Sequence, residues 1–86
     1  MVSIRQVKAA RALLGWSQSD LAEKSGVSMP TVARLEMEDG PLGGRPETRS
    51  KIVGALERAG IVFTNDGEPG VKIVPIALRE SRRKPT

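Results

Sequence analysis

A mainly α-helical fold of four to five helices, closed by a C-terminal β-hairpin, is the class this sequence predicts. Three observations lead there. Apolar residues recur at helical spacing through positions 1–60, polar caps and glycine stops punctuate that pattern, and from Ile61 the period changes to alternation. With 86 residues the chain makes one small domain of limited core, which a partner subunit would help to stabilise.

Ser3 begins the first helix, with Gln6 as its capping-box partner; Ile4, Val7, Ala10 and Leu14 form its inner stripe and Gly15 stops it. Ser17 caps a second helix with Asp20 three residues on, and Leu21 and Ala22 supply the buried positions. Gly26 ends that helix through a left-handed conformation, and Val27 plugs the corner. Ser28 starts the third helix. Pro30 falls in its first turn, where a missing N–H costs nothing; Val32 and Leu35 face the core, while Met29, Thr31 and Arg34 face outward.

Residues 37–47 (MEDGPLGGRPE) hold three glycines and two prolines and read as a loop. Pro46 or Thr48 opens a fourth helix with Ile52, Val53, Leu56 and Ala59 inward and Gly60 as its stop. Gly54 within it costs about 1 kcal/mol relative to alanine, which points to a close helix approach. Residues 61–64 and 71–76 read as strands around a turn at 65–70 (NDGEPG). Such a hairpin is marginal alone and an apolar edge attracts pairing, so residues 61–78 are expected to pack on the domain and to help join two subunits; the alternative is a monomer whose hairpin folds onto its own helices. Residues 79–86 (RESRRKPT) are charged, poor in apolar side chains and expected to be a disordered basic tail.

The composition removes several functions. With no Cys and no His, the chain has no disulfide scaffold, thiolate nucleophile, ordinary zinc site or imidazole base, and no cofactor is expected. Arg5, Lys8 and Arg11 interrupt the first sixteen residues, so neither a signal peptide nor a membrane span is expected and the protein is placed in the cytoplasm. A net charge of +4 favours a polyanionic partner, but its location matters more. Residues 1–44 are balanced, with five cations and five anions, and residues 45–86 carry nine cations against five anions.

Ser17, Gln18, Leu21, Ala22, Gly26, Val27, Ser28, Thr31, Val32, Leu35 and Glu36 together form a dense pattern of caps, small residues and apolar positions. That pattern resembles the phage-repressor-like (XRE, or lambda-repressor-like) helix-turn-helix regulators, and more weakly the resemblance extends over residues 1–60. It implies a sequence-specific regulator of double-stranded DNA, whose third helix, about residues 29–36, enters the major groove. Arg34 is the best candidate to read a base, through guanine O6 and N7. Ser28 and Thr31 are candidates for base edges or phosphate, Met29 and Pro30 for a thymine methyl. Gln18 matches the family position that meets a phosphate and buttresses the recognition helix. Arg11, a cation beside a core-facing row, needs a partner; the resemblance implies a largely buried pair with Glu36, against the alternative of two independent surface charges. Arg45, Arg49 and Lys51 cluster at the start of the fourth helix, either to grip phosphate or simply as solvated charges.

As a homodimer the protein would read an inverted repeat, with repression its expected role. The alternatives are a protein-binding antiactivator or adaptor on the same scaffold, supported by the charge balance of residues 1–44, and an autoregulating antitoxin. For an enzyme the sequence offers no base, metal cluster or phosphate-cradling glycine loop.

Overall fold

The computed structural model describes residues 2–65, 67 and 69–74. Among them are four helices, α1 (Ile4–Leu14), α2 (Gln18–Ser25), α3 (Met29–Glu36) and α4 (Pro46–Arg58), followed by the strands β1 (Ile61–Thr64) and β2 (Gly70–Ile73). The two capping boxes form as local chemistry requires. Ser3 Oγ accepts from Gln6 N at 3.1 Å while Ser3 N donates to Gln6 Oε1 at 2.9 Å. Ser17 and Asp20 repeat the exchange at 3.0 and 2.9 Å. Gly15 and Gly26 close α1 and α2 at φ 69° and 76°, the left-handed region where a β-carbon is unfavourable.

The helices meet around Ile4, Val7, Leu21, Val32, Ile52 and Leu56, all almost wholly enclosed. α2 packs on both α3 and α4, and α1 lies along β2. The fourth helix departs from its expected inner face: Ile52 and Leu56 are buried together with Ala55, whereas Val53 is half-buried and lines an open groove, and Ala59 is half-buried and serves as the C-cap. Pro46, not Thr48, opens it, with Arg45 as the N-cap.

The hairpin is antiparallel, pairing Ile61 with Ile73, Phe63 with Val71 and Thr64 with Gly70. Its second strand begins at Gly70 rather than at residue 71. It ends at Ile73, after which Val74 N adds one bond to Gly60 O at 2.8 Å. The end expected for that strand at residue 76 and the tail at 79–86 lie outside the described residues.

Gln6 has a task beyond its cap. It is buried, and its Nε2 donates to Thr64 O at 3.0 Å and Gly70 O at 2.9 Å, fastening both strands to α1 at the pair nearest the turn. The loop after α3 is also held. Ile4 N donates to Gly40 O and Leu42 N to Val2 O, Arg5 forms a two-pronged pair with Asp39 at 3.1 and 3.0 Å, and Leu42 is buried in the core.

Candidate nucleic-acid interface

α3 is positioned by what it buries. Val32, Leu35 and Glu36 point into the domain, and Val27 closes the corner between α2 and α3. The opposite side carries Met29, Pro30 and Arg34, all exposed, with Thr31 half-buried beside them. Ser28 occupies the N-cap but makes no side-chain cap bond; its hydroxyl donates to Thr31 Oγ1 at 2.8 Å, so the two candidate polar readers are joined to each other. The first N–H groups of α3 therefore have no side-chain cap, the usual condition of a helix start open to a ligand.

Beneath α3 lies a closed polar network. Arg11 Nε and Nη2 donate to Glu36 Oε2 and Oε1 at 2.7 and 2.6 Å, and Arg11 Nη1 donates to Trp16 O at 2.9 Å. Gln18 Nε2 adds a bond to Glu36 Oε1 at 3.1 Å. The Glu36 side chain is 3% exposed and that of Arg11 19%, so the two are paired and largely enclosed, not independent surface charges. Burial alone would push the Glu36 carboxyl up; hydrogen bonds from Arg11 and Gln18, with the charge of Arg11, outweigh it and hold the group below its usual value. Gln18 thus buttresses α3 through its side chain, while its backbone N–H stands at the start of α2.

Between α3 and the start of α4 is an open polar cleft of about 310 Å3, lined by Thr31, Arg34, Arg45, Glu47 and Thr48 among others. It brings Arg34 to the same concavity as Arg45. Neither guanidinium forms an ion pair among the described residues, in contrast to Arg5 and Arg11. α4 has no side-chain cap, so its helix start adds partial positive charge to this side. Arg49 donates to Gly44 O through Nη1, and Lys51 is exposed on the second turn; neither lines the cleft. Glu47 and Thr48 are cleft residues that were not read as site residues. The signal was available in principle, since both lie in the helical turn that Arg45 caps.

No group of three or more His, Cys, Asp or Glu among the described residues is placed to hold a metal ion. No described helix is long and apolar enough to cross a membrane.

A family model described as helix-turn-helix matches residues 7–42, from the middle of α1 through α2 and α3 to the buried Leu42. No curated protein matches the chain.

Proposed function

With a helix-turn-helix family model matching residues 7–42, we propose that the chain is a sequence-specific DNA-binding repressor of the phage-repressor-like kind that acts in the cytoplasm as a homodimer on an inverted-repeat operator. The observation that carries this reading is the outward side of α3, where Arg34 shares an open cleft with Arg45 and neither has a carboxylate partner among the described residues.

In the bound state α3 lies in the major groove, where each base pair presents its own donor and acceptor pattern. Arg34 donates two bonds to guanine O6 and N7. Met29 and Pro30 offer apolar surface to a thymine methyl, and Ser28 and Thr31, released from each other, reach base edges or phosphate. Arg45, Arg49 and Lys51 meet phosphates around the start of α4, and the N–H of Gln18 at the start of α2 meets another. The side chains of Arg11, Glu36 and Gln18, bonded to one another beneath α3, fix its angle. Two such helices about one DNA turn apart, roughly 34 Å, require a palindromic site. Where such a site overlaps the polymerase-binding part of a promoter, occupancy by the dimer excludes the polymerase.

Selection from random-sequence duplexes at two salt concentrations tests the reading. An enriched palindrome whose affinity falls steeply with salt is expected, because displaced counterions accompany every phosphate contact. Absence of any enriched sequence at low salt would overturn it in favour of the adaptor.

A further inference from the structure

One side of α4 takes part in the DNA reading only through Arg49, at its first turn. The helix buries Ile52, Ala55 and Leu56; on another side Arg49, Val53 and Glu57 recur every four residues, with Ser50 and Gly54 in a parallel row, along an open groove of about 520 Å3. Val2 and Leu42 form its apolar wall. This spacing is one continuous helix stripe, of the kind that receives a second helix.

Gly54 is the odd member. The close approach expected for it is absent within the described chain: a β-carbon at this position would meet only Nη1 of Arg58, at 3.2 Å. Among the described residues no other element requires the glycine, although it weakens the helix. With Ser50 one turn earlier, it leaves the groove floor low enough for a backbone to come close.

The charges select the occupant. Arg49 stands four residues before Val53 and Glu57 four residues after it. An identical stripe turned end for end about Val53 therefore sets Arg49 against the second copy's glutamate at 57, twice over, and valine against valine, the self-complementarity an isologous contact demands. Resting on the homodimer reading above, we propose that this groove is the two-fold contact, and that a second copy of the chain docks its α4 there, antiparallel. Arg49 already donates to Gly44 O and Glu57 is also engaged within its own chain. A guanidinium has five N–H donors and a carboxylate about four acceptor positions, so both retain capacity. The competing contact is the hairpin, where Val62 is exposed.

The chain contains no cysteine, so Val53→Cys and Val62→Cys each introduce a single thiol. Under mild oxidation at micromolar concentration, Val53→Cys is expected to form a disulfide dimer and Val62→Cys to remain unlinked. The reverse pattern would overturn the groove contact and leave the homodimer standing, whereas a monomeric mass for the native chain at high concentration would overturn both. Arg49→Glu or Glu57→Arg alone is expected to weaken dimerisation by about tenfold or more, through like charges set face to face. Combining Arg49→Glu with Glu57→Arg restores the native mass. A combined variant with native circular dichroism that stays monomeric would overturn the proposal. The readout is mass in solution, so a loss of DNA affinity on changing Arg49 does not enter it, and failure of operator selection with an intact dimer counts against the DNA reading alone.

Discussion

On the inward side of α3, Arg11 commits three nitrogens to Glu36 and to the Trp16 carbonyl; on the outward side, Arg34 and Arg45 meet no carboxylate among the described residues. The two sides differ by solvation. A charge removed from water must be matched at close range, or its burial costs several kcal/mol. An exposed guanidinium is left unmatched at little cost, and its donors then remain available to a ligand. The contrast separates an arginine committed to structure from ones left available to a ligand, on the two sides of one short helix, and it implies that stability and recognition respond to different substitutions.

The largest effect is expected on the enclosed side. Arg11→Ala strands the Glu36 carboxylate and should lower unfolding free energy by about 3–5 kcal/mol, read from urea denaturation. Replacing the pair together, Arg11→Met with Glu36→Leu, should lose much less. Equal losses would show that the bond geometry itself, rather than relief of an unpaired charge, holds α3.

On the open side the order reverses. Arg34→Ala should leave the denaturation midpoint unchanged and reduce preference for the selected operator over random DNA by about 1–3 kcal/mol, in competition binding. Equal weakening on both DNAs would remove Arg34 from base reading. Arg45→Ala should be weaker still and of another kind: it should lower the slope of log affinity against log salt by about 1 while leaving sequence preference intact. An unchanged slope would mean that Arg45 faces solvent in the complex.

How much of this contrast is legible in the sequence depends on chain distance. The capping pairs Ser3 with Gln6 and Ser17 with Asp20, and the glycine stops at 15 and 26, are decided by neighbours three or four residues away and appear where the sequence places them. The Arg11–Glu36 pair spans 25 residues and was accessible only through the family resemblance. The second task of Gln6 was not legible, because its partners Thr64 and Gly70 lie 58 and 64 residues on and nothing local marks a capping glutamine as a clamp. Burial of Leu42 within a glycine- and proline-rich stretch is not legible locally for a similar reason: its packing comes from the N-terminal segment that pairs with that loop. The outward positions Met29 and Arg34 follow from helical period alone, whereas the shared cleft of Arg34 with Arg45 depends on how α4 returns against α3.

Acid sharpens the same comparison. Glu36 has its carboxyl lowered in the folded chain, so the stabilisation it brings is complete above the unfolded value near 4.3 and disappears as pH falls through the lower folded value. The native chain should therefore lose stability below about pH 4 more steeply than Glu36→Gln, which has no proton to take up there. Parallel acid limbs in urea denaturation would mean that other carboxylates govern acid unfolding.

The smallest effect is expected at the pair that most resembles Arg11–Glu36 in geometry. Arg5 also grips its carboxylate with two nitrogens, but the side chains of Arg5 and Asp39 are 81% and 65% exposed. Water and salt screen such a pair, and ordering two side chains offsets most of its attraction. The loop it joins is independently held by Ile4 N to Gly40 O, by Leu42 N to Val2 O and by burial of Leu42. Arg5→Ala should therefore leave the denaturation midpoint where it is in moderate salt. A clear drop would show that the exposed pair sets the register of the loop, and that solvation alone does not divide the structural arginines of this domain from the rest.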